Sequence, residues 1–488
     1  MRYLPKHNAK RMIHTGRRSA LLVILAIMGL ATRLPADEFT YIDRQGETQT
    51  VQARLLGSGE GFFALEQTDG QILLVPEGSI EKRTPADDPE PLDGDQVAAK
   101  LQTTFGGPQK ALAYVEKPQV LIYILHEQTA DRKEIARKTL LMKQAARFLK
   151  SMHNKFLNFV RENRLEVQPL KFPLVVLIFE RDEDFEDYTR EVTGNVGLSA
   201  GAIAGFFDQL TNFLVLRESE CDTFEVPLHE SIHQQVFNRQ ILQRLAPVPV
   251  WFNEGLATGF EGDGKTVRKG PGTVSERYSF LALNANTVTW EEIVRSDKSF
   301  QGDVLAGEAY GHAWGLHWLM IVKHRAKYSQ YVKLLAQTAP FTKVDEDDRL
   351  ENLESIFDCS IVELHREFEK SIQAALKRIK PKSNTYRLPL GADHQYASAG
   401  PIDRTQLFSL RVRPFSSVSP HETLLSSQAA QPSEDAAAIT VRFHRDEPSA
   451  AEKATSRQPY RFDLNRMLQS DIDFSLPVEK RLRTSIDR

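Results

Sequence analysis

The stretch Glu225–Glu261, EVPLHESIHQQVFNRQILQRLAPVPVWFNEGLATGFE, decides how the rest of the chain is interpreted. It contains H-E-x-x-H, with His229 and His233 four residues apart and Glu230 directly after the first histidine. Residues four apart share one face of an α-helix, so both imidazoles can bind one metal ion while the glutamate acts as general base. A catalytic zinc takes about three protein ligands and keeps a position for water. Glu254, in W-F-N-E-G-L-A, is the candidate third ligand.

The residues around the motif favour a helix. Pro227 suits a first helical turn, and Leu228, Ile232 and Val236 recur every four residues as an apolar stripe. This stripe can hold the helix against a core while the histidines face the ion. We also expect Gly255, next to Glu254, to permit a close backbone approach to this metal helix.

H-E-x-x-H followed by W-x-N-E-G-x-A resembles the gluzincin metallopeptidases, and within them the peptidase-MA-like proteins of domain-of-unknown-function family 1570. The resemblance covers residues 119–376. It implies one Zn²⁺ held by His229, His233 and Glu254, with Glu230 as general base. It also implies an α+β fold with a small mixed sheet, the metal helix and a helical C-terminal lobe.

A developing oxyanion needs a hydrogen-bond donor besides the metal. The resemblance points to Tyr310, because Tyr310-x-x-x-Trp314 lies downstream of the ligands as the catalytic tyrosine does in gluzincin aminopeptidases. A tyrosine packed in the core of its helix is the other interpretation. His312 and His317 are rival donors.

Composition sets broad limits on function. The 488 residues are 41% hydrophobic and 26% charged, typical of globular proteins, and the formal net charge of −3 gives no basic signal for nucleic acid. Two cysteines, Cys221 and Cys359, are too few for a disulfide framework or a metal cluster. They can pair with each other or remain separate thiols.

The first 36 residues are typical of an export signal. Basic residues precede the apolar run 20–31, which is shorter than the roughly 20 residues of a membrane-spanning helix. We therefore expect an exported protein, periplasmic, cell-surface or secreted, with no spanning segment after cleavage. An uncleaved N-terminal membrane anchor is the alternative.

Five segments follow from the pattern of strands, turns and breaks. Short alternating strands separated by Gly-rich turns predict an all-β module similar to an SH3-like barrel of the Sla1 homology domain 1 type. The predicted segments are 1–36 (signal peptide), 37–83 (all-β module), 84–118 (linker and lead-in), 119–380 (metallopeptidase domain) and 381–488 (largely disordered tail).

Within the metallopeptidase domain, periodicity predicts the main elements. The predicted strands cover 119–125, 174–179 and 213–216, and the predicted helices cover 130–163, 308–335 and 350–379. By resemblance, the strand 213–216 is an edge strand beside the cleft, able to pair with an extended substrate.

The sequence therefore predicts an exported zinc metallopeptidase acting on peptide or protein substrates. The absence of a glycine-rich exopeptidase motif before His229 favours an endopeptidase. The all-β module is expected to bind a cell-envelope component or another protein. Two alternatives stay open: a non-catalytic binding or scaffold protein, and a zinc hydrolase of non-peptide amides such as cell-wall crosslinks.

Overall fold

Two five-stranded β-sheets, one in a small N-terminal module and one in a larger main domain, organise the described part of the chain. The structure, a computed structural model, describes residues 36–193, 203–221, 225–262, 266–300 and 303–379, together with 474–476, 478 and 481. The region predicted to be a signal peptide lies outside these residues except for Ala36. The fold is mixed α+β, with an all-β N-terminal part and a helical C-terminal part.

The β module contains five antiparallel strands in the order β4-β3-β2-β1-β5. The long β2 pairs through its first half with β1 and through its second half with β3, with a register shift between Leu55 and Gly57. The sheet therefore bends at β2, and β4 and β5 are its two edges. The strands are β1 (Asp37–Ile42), β2 (Thr48–Gly59), β3 (Phe62–Glu66), β4 (Ile72–Pro76) and β5 (Ile80–Pro85).

The main-domain sheet has the order β6-β7-β8-β10-β9, with parallel pairing among β7, β8 and β10 and an antiparallel strand at each edge. The predicted edge strand at 213–216 is therefore interior, and β9 is the edge. Strand β9 has only three residues and lies in a glycine-rich stretch, so its sequence shows no recognisable strand pattern. The strands are β6 (Ala111–Glu116), β7 (Gln119–Ile124), β8 (Leu174–Phe179), β9 (Gly205–Phe207) and β10 (Phe213–Arg217).

Helices cover both faces of this sheet because successive strand residues point to opposite sides. Val120 and Ile122 pack with helices α1 and α3, whereas Leu121 and Tyr123 pack with the long helix α2. Residues 94–116, predicted to be linker and lead-in, instead form α1 and β6. These helices are α1 (Gly94–Thr104), α2 (Arg132–Glu162) and α3 (Asp182–Thr193).

The C-terminal lobe is helical and carries the largest apolar core. Its described helices are α4 (Glu225–Asn238), α5 (Val250–Thr258), α6 (Glu276–Asn284), α7 (Trp290–Arg295), α8 (Asp303–Lys323), α9 (Arg325–Ala336), α10 (Glu346–Phe357) and α11 (Ile361–Arg378).

Two predicted helices are each divided in two. The helix predicted over 350–379 breaks at Asp358, whose φ of 50° is left-handed, and α11 then starts with a capping box between Ser360 and Glu363. The helix predicted over 308–335 is divided between α8 and α9 at His324, whose imidazole bonds to Glu367 on α11 at 2.7 Å. No Gly or Pro lies next to His324 in the sequence, so this second break is associated with a tertiary contact and not with a local helix breaker.

No helix among the described residues is long and apolar enough to cross a membrane. The two cysteines form no disulfide: the buried Cys221 thiol donates to the carbonyl of Arg217 at 3.2 Å, and Cys359 is half-buried.

The β module packs directly against the main domain. Arg244, buried, donates to Glu66 at 2.7 Å and to the carbonyl of Gly70 at 2.7 Å, and Lys171 donates to the other Glu66 oxygen at 2.7 Å. Glu66 and Gly70 belong to the module, so a buried ion pair crosses the junction. A carboxylate removed from water in this way requires such partners.

The prediction of a largely disordered tail at 381–488 concerns residues that mostly lie outside the described part of the chain. The exceptions are residues 474–476, 478 and 481, all of which are buried. The tail prediction did not foresee this burial.

Candidate metal centre

Helix α4 presents both motif histidines on one buried face. The rings of His229 and His233 lie 4.8 Å apart between centroids, and each residue is less than a tenth exposed. On another face of α4, Leu228, Ile232 and Val236 are fully buried in the largest core. The predicted stripe therefore fixes the rotation of α4 and, with it, the direction of the two imidazoles.

Glu254 on α5 completes a three-residue donor set. Its Oε2 lies 3.1 Å from His229 Nε2 and its Oε1 lies 3.6 Å from His233 Nε2, and one donor atom from each residue lies within 4.8 Å of the others. Bonds of about 2.0–2.2 Å place tetrahedral zinc ligands about 3.4 Å apart. Two imidazole nitrogens and one carboxylate oxygen, already near that spacing, fit a divalent ion such as zinc.

Gly255 positions α5, but against a different helix from the one predicted. A Cβ at this residue would lie 2.5 Å from the carbonyl oxygen of Ala313 and 2.8 Å from the ring of His317, both on α8. The nearest atoms at this position therefore belong to α8, whereas the prediction named the metal helix α4. The glycine lets α5 settle deeply enough for Glu254 to reach the histidines.

Glu230 is held between the donor set and the edge strand. Its Oε2 accepts the backbone N–H of Phe207 on β9 at 3.0 Å, and the residue is 2% exposed. Burial raises the pKa of the Glu230 carboxyl to about 8, with a further contribution from Glu254 that His229 opposes. A cation held by the adjacent donor set would favour the ionised carboxylate, which is the form that accepts a proton.

The two histidines have opposite electrostatic surroundings. Burial lowers the pKa of His233 to about 4, which favours the neutral imidazole that binds metals. Burial also acts to lower the pKa of His229, but its hydrogen bonds to Glu254 and Glu261 raise it well above its usual value. In the absence of an ion, a proton on His229 neutralises part of this acidic site.

Glu261 is a functional candidate that sequence analysis missed. Its Oε1 lies 2.7 Å from Nδ1 of His229, and Tyr278 donates a hydrogen bond to its Oε2. Burial acts to raise the pKa of Glu261, but the hydrogen bond and charge of His229, together with the Tyr278 hydrogen bond and the charge of Arg277, lower that pKa on balance. A carboxylate behind a ligating imidazole fixes the ring's tautomer and orientation. Its place seven residues after Glu254, within the same stretch, was the available signal.

His233 lacks an equivalent partner among the described residues. Its buried Nδ1 has no hydrogen-bond partner there, and neither does the buried Oδ1 of Asn253. Asn253 precedes the candidate ligand Glu254, and its side chain raises the pKa of His233 against the effect of burial. The Asn253 amide is thus the group beside His233 that can accept its Nδ1–H.

Tyr310 lies at the donor set, whereas the two rival histidines lie in the core. The Tyr310 hydroxyl donates to Oε2 of Glu254 at 2.9 Å. His312 bonds through its two ring nitrogens to Trp290 and to the carbonyl of Val288. His317 bonds to Tyr328 and to the carbonyl of Phe252. Both histidines are fully engaged in packing α8.

A comparison with protein families adds one finding. Residues 226–342 match the family model described as Protein of unknown function (DUF1570). The matched DUF1570 region runs from α4 to just beyond α9, and it contains all three donors together with Glu230 and Tyr310. It is shorter than the predicted resemblance over 119–376. No curated protein matches the chain.

Inside the DUF1570 region, we expect Glu261→Gln to weaken zinc binding about 10- to 100-fold. The amide is neutral and no longer compensates the positive charge that His229 acquires as a ligand. Competition with a chromogenic chelator measures the affinity. Glu369→Gln, at an exposed residue of α11, is the control, and equal affinity in the Glu261 and Glu369 variants would contradict the role of Glu261.

Proposed function

We propose that this chain is an exported zinc metallopeptidase of the gluzincin type, hydrolysing peptide bonds in protein or peptide substrates. The observation that carries the proposal is the convergence of His229, His233 and Glu254 within 4.8 Å, beside a buried Glu230. A purely structural metal site needs no carboxylate placed next to it as a base. When bound there, zinc would supply Lewis-acid polarisation and lower the pKa of a bound water.

Glu230 is the proton carrier in this proposal. Its carboxylate accepts a proton from the water that attacks the scissile carbonyl and transfers it to the leaving amine. The Phe207 N–H fixes Oε2 of Glu230, so the carboxylate keeps one orientation through both transfers. Burial of the site strengthens these interactions because little water competes with them.

Strand β9 supports the choice of an extended peptide as substrate. Residues along an antiparallel strand alternate between hydrogen-bonded and non-bonded pairs, and Asp208 N–H bonds to Phe213 O at 3.0 Å. The neighbouring pair of Phe207 and Leu214 is therefore the non-bonded kind, and the Phe207 backbone points away from β10. Its N–H reaches Glu230, and its carbonyl can accept a hydrogen bond from a substrate N–H beside the metal centre.

Tyr310 is the proposed oxyanion donor. Its hydroxyl already lies within hydrogen-bond distance of the ligand Glu254, so it borders the position of the reacting carbonyl. A donor directed at the developing charge commonly contributes about 10²–10³-fold in rate. In this role, Tyr310 would stabilise the transition state without binding the metal.

Replacement of Tyr310 by phenylalanine tests this role. We expect kcat for peptide hydrolysis to fall about 10²-fold, while zinc affinity changes less than in the Glu261 variant. Steady-state kinetics on a fluorogenic peptide, together with zinc content, make the measurement. Wild-type kcat in the variant would remove Tyr310 from the mechanism.

The β module is proposed to be an SH3-like barrel that positions the enzyme on a cell-envelope component or another protein. Two features support this proposal. The long β2 pairs with β1 on one side and with β3 on the other, and a short 3₁₀ helix, Glu77–Ser79, precedes the last strand β5. The β4 edge and the Glu66 side chain of the module already contact the main domain. A partner would therefore contact the other side of the module.

A further inference from the structure

Five residues near the end of the chain are far more buried than their surroundings in sequence predict. Phe474, Ser475, Leu476, Val478 and Arg481 are each 4% exposed or less. They follow a long stretch rich in serine, alanine, proline and charge. Their burial requires a complementary surface elsewhere in the chain.

One side of that surface is the β4 edge of the β module. The backbone N–H of Leu74 on β4 donates to the carbonyl of Phe474 at 2.9 Å, and the buried Tyr41 hydroxyl donates to the carbonyl of Ser475 at 2.8 Å. Two residues before Leu74, the N–H of Ile72 donates to Leu210 of the main domain at 2.7 Å. The edge N–H groups of β4 are thus used within the chain instead of being left for other strands.

The side chain of Phe474 lies where the module meets the main domain. It packs in an apolar cluster that joins Ile72 and Leu74 of β4 to Leu210 and Leu245 of the main domain. The guanidinium of Arg481 lies over the Phe474 ring, 4.9 Å from its centroid. Phe474 therefore contacts both parts of the protein at once.

Four residues later, the segment reaches the main-domain sheet. Val478 packs in the core cluster that contains Phe206 of β9 and Phe213 of β10. Arg481 lies close enough to Asp208, directly after β9, to lower the pKa of that carboxyl, which burial raises. The segment thus carries a positive charge to a buried acidic residue beside the edge strand.

We propose that residues 474–476, 478 and 481, the described part of segment 474–481, form an intramolecular ligand of the groove between the β module and the main-domain sheet. It binds by accepting one backbone hydrogen bond from β4 and one from the Tyr41 hydroxyl of β1, by inserting Phe474 and Val478 into separate apolar clusters, and by placing Arg481 beside Asp208. The bound segment holds the β module and the β9–β10 turn in one arrangement. The occupant is the chain's own segment because the groove offers matching backbone, apolar and charge contacts to these residues.

The first test compares full-length variants by hydrogen exchange. In Phe474→Ala/Val478→Ala, we expect the Leu74 amide of β4 to exchange at least about tenfold faster than in the wild type, because its hydrogen bond to the carbonyl of residue 474 is released. The matched control carries Leu140→Ala/Val362→Ala, two exposed apolar residues on helices α2 and α11, and should leave β4 protection unchanged. Unchanged protection in the first variant, or equal loss in both, would overturn the proposal.

The second test supplies the segment separately. A chain ending at residue 470 is expected to unfold roughly 10 °C below the full chain, and a synthetic peptide of residues 471–486 should restore its Tm and its β4 protection. The same peptide with Phe474→Ala and Val478→Ala should not. A truncated chain that keeps the full Tm and binds no peptide would overturn the proposal. If truncation prevents folding, the full-length double variant decides.

Light scattering of the full chain distinguishes the occupant. A monomer with protected β4 amides supports binding in cis. A dimer whose dissociation exposes β4 would mean that a second copy supplies the segment, and it would overturn the intramolecular assignment.

Discussion

Replacing Glu230 by glutamine is expected to lower kcat for peptide hydrolysis about 10²–10⁴-fold while zinc remains bound. Glutamine has nearly the same shape, and its side-chain oxygen can still accept the Phe207 N–H that fixes Glu230 at 3.0 Å. It has no carboxylate to accept a proton. The variant therefore separates proton transfer from site geometry, which a larger substitution would not do.

The measurement is kcat on a fluorogenic peptide mixture, with zinc content determined on the same samples. Glu369→Gln serves as the control for removing one negative charge at an exposed position. Near-normal turnover by the Glu230 variant at equal zinc occupancy would exclude Glu230 as the general base.

Glu254→Ala is expected to have the largest effect on the metal. It removes the only carboxylate in the donor set and also the acceptor of the Tyr310 hydroxyl. Zinc affinity should fall by more than the roughly 10- to 100-fold expected for losing a partner behind a ligand. Hydrolysis at limiting zinc should fall in parallel.

Chelator competition measures this affinity, and Glu369→Ala provides the matched control. Because Glu254 is buried, circular dichroism should accompany the assay to show that the helices persist. Unchanged zinc affinity in a folded Glu254 variant would remove this residue from the ligand set.

The donor set could be predicted from sequence because its geometry is local. His229 and His233 are four positions apart on one helix, and this spacing fixes their relative position. The W-F-N-E-G-L-A segment identified Glu254 by resemblance. The structure brings all three donors together. No spacing rule in the sequence identifies the residues that hydrogen-bond to the histidines. Glu261, the partner of His229, and Tyr278, which donates to Glu261, are therefore recognised only from the packing of the folded chain.

The fold was predictable where periodicity was long. The strand at 174–179 and the long helix α2 lie where they were expected, since each shows a sustained apolar pattern. Strand β9 is too short for such a pattern, and the edge position was consequently assigned to 213–216. The break before α11 had a local signal, the capping box of Ser360 and Glu363, whereas the break at His324 depends on tertiary contacts.

The buried segment at 474–481 shows another limit of sequence analysis. Phe474, Leu476 and Val478 form a short apolar patch, and such patches are common in polar stretches without a packed partner. Its complement is divided between β4 and the β9–β10 region, about 400 and 270 residues earlier in the chain. Only the assembled fold reveals that the two surfaces adjoin.

Zinc stoichiometry of the purified full chain tests the central claim most directly. Mass spectrometry of protein supplied with zinc and then dialysed should give about one zinc per chain, and the three-donor site predicts that Glu254→Ala sharply reduces it. A folded chain that retains no zinc after being supplied with it would contradict the metallopeptidase account.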